Sequence, residues 1–303
     1  MTERAWFVDS KTKMKILKIA APLLAALAGA IPARAQWPPY PTAGPRTKEG
    51  KIDLAGAPPR TADGKPDFAG LWEPARGKGG GGRGGESMNG TLPLPFEIPS
   101  APGDPPVGQF FNIGAGLPEK LPPMTAWGAQ VRAERKANNN KDNPDAACLP
   151  LGLTQLHMHP QPREIVQTPR EIVILYEAND NTRRILTDGR RLPDSNNVTP
   201  WWYGYSVGHW DGDTLVVETT GFRDDVWLDV EGSPLTSSGK MTERWRRPKF
   251  GLMQIDITIE DPKAYTKPFT VRVNHQLMPD TELMEFVCQE RDAKHYVGKD
   301  ARK

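Results

Sequence analysis

From about residue 164 onward, apolar and polar positions alternate with a period of two in short runs broken by turn sequences. This is the pattern of half-buried β-strands. Glu164 to Thr168 and Glu171 to Glu177 are β-branched runs on either side of Pro169, and Thr182 to Thr187 follows the turn sequence Ala178-Asn179-Asp180-Asn181. Trp201 to Trp210 meets Asp213 to Thr220 across Asp211-Gly212, a two-residue hairpin signal. Lys240 to Arg247, Leu252 to Glu260, Phe269 to Leu277 and Glu282 to Gln289 complete a series of about nine strands. A shorter strand is expected in Pro66-Asp67-Phe68-Ala69-Gly70-Leu71-Trp72-Glu73. With no crossover helices between them, the strands predict a mainly β fold, an antiparallel meander closing into a β-barrel, because closure removes exposed edges.

Residues 36–150 read differently from the barrel domain expected over 151–303. They are rich in Pro and Gly and include the low-complexity run Gly77-Lys78-Gly79-Gly80-Gly81-Gly82-Arg83-Gly84-Gly85, which lacks the ending of a phosphate loop. Besides the strand near 66–73, the ordered element expected here is a helix over 125–136, capped by Thr125, with Trp127 and Val131 on one face. The segment offers too few periodic apolar residues for a second core and is read as an arm wrapped on the barrel.

Residues 1–35 read as an export signal, with an over-extended start before Met14. Met14-Lys15-Ile16-Leu17-Lys18 is basic, Ile19 to Ile31 apolar, and Ala33-Arg34-Ala35 is a small-x-small cleavage site. The signal changes the charge picture. It holds six basic and two acidic residues, so its removal takes 39 basic and 37 acidic residues to 33 and 35, and the net charge from +2 to −2. A near-neutral mature chain gives no footprint for nucleic acid, and no later stretch is long and apolar enough to span a membrane. The expected location is secreted or periplasmic, where Cys148 and Cys288 would pair as a disulfide.

Gly64-Lys65-Pro66-Asp67-Phe68-Ala69-Gly70-Leu71-Trp72, Glu164-Ile165-Val166-Gln167-Thr168-Pro169 and Asp188-Gly189-Arg190 form one set with three further segments. These are Ser206-Val207-Gly208-His209-Trp210-Asp211-Gly212-Asp213-Thr214-Leu215-Val216-Val217, Glu243-Arg244, and Asp261-Pro262-Lys263-Ala264 with Tyr265-Thr266-Lys267-Pro268. The set, covering about residues 61 to 290, resembles a large family of secreted bacterial proteins to which no agreed activity attaches. Gly70-Leu71-Trp72 is also similar to the N-terminal Gly-x-Trp of lipocalin-like barrels. That resemblance implies a barrel end closed beneath Trp72, with the long insertion after Trp72 as the departure.

Candidate chemistry starts from the hairpin. A turn at Asp211-Gly212 sets Trp210 opposite Asp213, His209 opposite Thr214, Val207 opposite Val216 and Tyr205 opposite Glu218. One face then carries Tyr203, Tyr205, His209 and Glu218, and the other Gly204, Ser206, Gly208, Trp210, Leu215 and Val217; alternation alone leaves open which is inward. With the first face inward, Glu218, Tyr205 and His209 form an acid–base set, and Trp201, Tyr203, Glu243 and Trp245 are ligand-binding candidates. Arg244 and Arg246 read as surface ion-pair residues. His157-Met158-His159 with Glu164 has the residue types of a metal site if extended, but Pro160 and Pro162 interrupt it and only His275 offers a fourth ligand, so no metal and no cofactor are expected. Ser206 sits in a G-x-S-x-G string inside a strand, which does not present a nucleophile. The leading expectation is a binding protein for a small, largely apolar ligand in the barrel lumen. Its alternatives are a cofactor-free hydratase, isomerase or lyase on the same barrel, and an envelope interaction protein using the arm.

Overall fold

A computed structural model describes residues 40–75 and 93–288. The expected export signal at 1–35, the glycine run at 77–85 and the residues from 289 lie outside the described residues. Contacts group the described residues from Pro41 onward as one compact unit.

Nine strands close a barrel in the order β1-β11-β10-β9-β6-β5-β4-β3-β2. They are β1 (Gly70–Pro74), β2 (Arg163–Gln167), β3 (Glu171–Tyr176), β4 (Asn181–Leu186), β5 (Tyr205–Asp211), β6 (Thr214–Thr220), β9 (Lys240–Lys249), β10 (Leu252–Glu260) and β11 (Phe269–Leu277). A two-stranded ribbon, β7 (Val226–Trp227) with β8 (Pro234–Leu235), lies between β6 and β9 in sequence. The meander order expected from the pattern is present, with neighbours in sequence adjacent around the ring. Glu282 to Cys288, expected as strand, is not one.

One seam departs from the antiparallel rule. β4 and β5 run parallel and share only two residue pairs, Ile185 with Ser206 and Leu186 with Val207. The 18 or so residues between them carry the chain back across the barrel, so β5 re-enters in the direction of β4.

The registers fix the inner face. Glu243 lies between Val217 and Ile257, Trp245 between Leu215 and Ile255, and Met241 between Thr219 and Ile259. Val271, Val273 and His275 continue the inward row on β11. These residues are buried, and β-branched side chains fill most of the row. The outer face of β10 and β11 is covered as well, because residues 93–124 run along it. Val107 bridges to Arg272, the Gly108 amide donates to the Arg272 carbonyl, and Leu94 and Ile113 are buried. The buried Arg272 pairs outside the barrel with Asp256 and Asp104, each at 2.6 Å. β10 accordingly keeps a strict alternation, with Ile255, Ile257 and Ile259 inward and Gln254, Asp256 and Thr258 outward under this cover.

Both ends are plugged. At one, Trp72 is fully buried, its indole Nε1 donates to the Phe68 carbonyl at 2.9 Å, and the Arg247 guanidinium lies 4.7 Å from its ring centre. Phe68 stacks there on Trp210 and meets Trp245 edge-on. The other end takes the short helix α2 (Leu153–Met158), all six residues of which are buried. The helix α1 (Ala126–Ala137) lies outside, capped by the Thr125 hydroxyl as expected. Its packed face is Gly128 and Arg132, while Trp127 is exposed under Lys263. Close approach decides that face, since a Cβ on Gly128 would sit 2.3 Å from the Ala264 carbonyl oxygen.

Cys148 and Cys288 are bonded across 140 residues of sequence. Replacing both by serine is expected to cost about 2–5 kcal/mol, through loss of a long closed loop, in urea unfolding. Gly152, which starts α2, abuts Trp227 so closely that an added Cβ would lie 2.0 Å from its carbonyl oxygen. Gly152→Ala is expected to push α2 outward at a cost of about 1–3 kcal/mol in the same assay; unchanged stability would mean the plug is loosely seated.

Candidate functional site

The inward parity of β9 forces the Glu243 carboxylate into the barrel, where it is fully buried. A lone carboxylate there would be costly, and partners from β4 and α2 meet it. Arg183 on β4 forms a two-point pair, Nη1 to Oε1 at 3.1 Å and Nη2 to Oε2. His157 in the last turn of α2 places Nε2 2.7 Å from Oε1. Arg183 Nη2 also donates to Ser206 Oγ and Thr219 Oγ1, each at 3.1 Å, and those hydroxyls lie 2.9 Å apart.

A second cation, Arg163 on β2, closes the network without a carboxylate. Its guanidinium donates to the carbonyls of His157 at 2.8 Å, His159 at 2.9 Å and Gln161 at 3.2 Å, which satisfies the turn after α2. Its Nη1 also lies 2.6 Å from His275 Nε2. Burial pulls the Arg163 pKa down to about 10. Among the described residues, His157 Nδ1, His275 Nδ1 and Trp245 Nε1 are buried with no hydrogen-bond partner.

The titration states follow from these contacts. Burial alone would push the Glu243 carboxyl up, but the Arg183 charge and the His157 contact outweigh it and hold it down at about 2. Burial lowers His157 further than Glu243 raises it, with Arg183 and Arg163 repelling its proton. Burial, Arg163 and His157 hold His275 well below the ordinary histidine value. At neutral pH the network is therefore a carboxylate–guanidinium pair flanked by two neutral imidazoles.

Beside it, on the outside, a cleft of about 460 Å³ opens along the β4–β5 seam. Trp201, Trp202, Tyr203 and Tyr205 form its aromatic wall, and Arg183 and Ser206 form its inner end. Gly204 bends the wall at φ +60°, where an added Cβ would lie 2.6 Å from the Thr220 carbonyl oxygen. At the rim, Arg190 grips Asp188 through Nη2 and Nε at 2.6 and 2.9 Å and donates through Nη1 to the Tyr205 hydroxyl at 2.9 Å. Arg184 pairs with Glu171 at 2.6 Å.

The acid–base set expected from the hairpin is not assembled. Asp211 pairs with Thr214, so the turn is Gly212-Asp213, Tyr205 faces Thr220, and Val207, not Tyr205, opposes Glu218. The small-residue face points inward, because the interior beside β4 has no space: even a Cβ on Gly208 would meet Thr187, Ile185 and Leu215 at 3.1–3.2 Å. Glu218 therefore lies on the outer face and pairs with Lys240 at 2.7 Å, and His209 is exposed on that face. Tyr205 stays at the cleft rim. Of the ligand-binding candidates, Trp201 and Tyr203 line the cleft, whereas Glu243 and Trp245 are inside the barrel. Arg244 and Arg246 pair on the outside with Asp211 and Asp256.

The His157, His159, Glu164 group also separates. His157 ends a helix instead of lying on an extended chain, so its ring turns into the barrel. His159 packs edge-on against Phe110, and Glu164 is partly exposed on the outer parity of β2. Among the described residues no three His, Cys, Asp or Glu side chains gather to hold a metal ion. Sequence reasoning missed Arg183, Arg163 and Thr219. Arg183 had a signal, since it shares the parity of Ile185 in Asn181-Thr182-Arg183-Arg184-Ile185-Leu186. Comparison with protein-family models, curated proteins and solved structures finds no match to this chain.

Two buried neutral histidines make the fold acid-sensitive. The unfolded chain takes up their protons from about pH 6.5 downward and the folded chain only at lower pH, so across that window stability falls with pH by up to about 1.4 kcal/mol per pH unit for each histidine. Glu243 adds a loss of about 3 kcal/mol between pH 4.5 and its folded value of about 2. Urea unfolding from pH 8 to pH 4 is expected to show the first decline, and His275→Gln to flatten it by one proton. A constant stability down to pH 5 would contradict the neutral, buried state of both imidazoles.

Proposed function

We propose that this is a secreted binding protein for a small, largely apolar, ring-bearing molecule, held in the cleft on the β4–β5 seam. The observation that carries the reading is the aromatic wall of that cleft: Trp201 is 54% exposed with its ring 6.2 Å from that of Tyr205. Exposing so much aromatic surface is unfavourable unless something covers it. A volume of about 460 Å³ is in the range of small-molecule sites. The barrel lumen, the seat expected from the sequence, is taken by the protein's own side chains, Trp72, Trp245, Arg163, Arg183 and Glu243 among them. The reading therefore moves the ligand from the lumen into the wall. The disulfide suits an oxidising compartment, and no described helix is long and apolar enough to cross a membrane.

The neutral probe N-phenyl-1-naphthylamine tests the cleft, because its fluorescence rises in an apolar site. Binding to the full chain is expected with a dissociation constant in the micromolar range, weakened about tenfold by Trp201→Ala, equivalent to about 1.4 kcal/mol of lost ring contact. Absence of binding, or binding unchanged by Trp201→Ala with the fold intact by circular dichroism, would sink the proposal.

A second reading, a cofactor-free acid–base enzyme, draws on one observation: His157 is held by Glu243 through Nε2 and has Nδ1 without a partner, the arrangement of a general base. Against it stands the burial of His157, which is 1% exposed. Diethyl pyrocarbonate is expected to modify His209 and spare His157; modification of both at similar rates would favour the enzyme.

A further inference from the structure

The cleft has an uneven supply of hydrogen-bonding groups. Three guanidiniums, those of Arg183, Arg184 and Arg190, belong to its lining and no carboxylate does. Their partners Glu243, Glu171 and Asp188 are all outside the lining. The Tyr205 hydroxyl accepts from Arg190, so its own proton is free to be donated. At the inner end, Ser206 accepts from Arg183, as does the buried Thr219 behind it. One hydroxyl donates to the other, which leaves one O–H of the two without an acceptor. The Tyr203 hydroxyl is buried without a partner as well. Side-chain donors thus outnumber side-chain acceptors in the lining, and a guest completes them by bringing acceptor atoms, best of all charged ones.

We infer that the cleft selects an aromatic organic anion, a carboxylate or sulfonate on a ring frame, over its neutral counterpart. The ring lies against Trp201 and Tyr205, and the anionic group meets the Tyr205 hydroxyl and the outward edges of Arg184 and Arg190. The inference rests on the binding reading above and adds the charge of the guest. Arg183 contributes only field and position, since all its N–H groups point at Glu243, His157, Ser206 or Thr219.

A matched pair of probes separates the two claims. 8-Anilinonaphthalene-1-sulfonate is N-phenyl-1-naphthylamine with one sulfonate added, so the ratio of their affinities reads the anionic group alone. The full chain is expected to bind the sulfonate at least tenfold more tightly at 50 mM salt, with the preference shrinking at 500 mM. Arg184→Gln is expected to lower the preference about threefold. Tyr205→Phe, which removes a donor without changing charge, is expected to lower it by a similar factor. Equal affinities for the two probes, or a preference that survives both substitutions, would overturn the anion assignment while leaving the cleft as a binding site. Failure of both probes to bind would overturn the binding reading itself.

Discussion

The barrel is organised around one buried ion pair, Glu243 with Arg183. Taking a carboxylate and a guanidinium out of water costs several kcal/mol each, and only good geometry with full hydrogen bonding offsets that cost. The neighbours are set accordingly. Ser206 and Thr219 take the remaining Arg183 donors, His157 reaches Glu243 from α2, and Arg163 fixes the turn that delivers His157. Removing either charge would strand the other in a dry interior, so the side chains of β4, β5, β6, β9 and α2 are bound to one arrangement.

That arrangement compensates for a weakness in the backbone. Most strand pairs in the ring share five or more residue pairs, but β4 and β5 share two. Arg183 spans that gap, bonding from β4 to Ser206 on β5 and onward to Thr219 and Glu243. The polar side chains thus add cross-strand hydrogen bonds where the β4–β5 ladder is only two pairs long. The same poor pairing lets the chain before β5 swing away from β4, and Trp201 to Gly204 form the wall of the resulting cleft.

Much of this architecture was legible in the chain. Runs from residue 164 onward located eight of the nine barrel strands, because each half-buried strand must alternate; the short run at 66–73 located the ninth, and Thr125 marked the start of α1. The failures share a physical origin. Alternation does not say which face is inward, and in the hairpin the polar face looked more purposeful than Gly204, Ser206 and Gly208. Interior volume decided otherwise. Helix α2 was hidden because its six residues are buried on all sides, so no amphipathic stripe advertises it. The short run also places His157 and His159 in different surroundings, which an extended reading cannot anticipate. The Cys148–Cys288 bond was legible from the count of two and the expected export alone. Glu243 was recognised as an inward candidate, but its partner is 60 residues away in sequence and pairing across a barrel leaves no local trace.

A pair of well-packed apolar side chains would stabilise the interior as well as the Arg183–Glu243 pair does, so stability alone does not account for it. What an apolar replacement could not do is orient hydroxyls. Because Arg183 occupies an acceptor lone pair on both Ser206 and Thr219, their protons are constrained to point away from it, and one of them is left to find an acceptor elsewhere. The inner end of the cleft thereby inherits its donor character from a charge buried behind it. The buried pair and the aromatic cleft are in this sense one device, since the parallel seam that requires the first also opens the second.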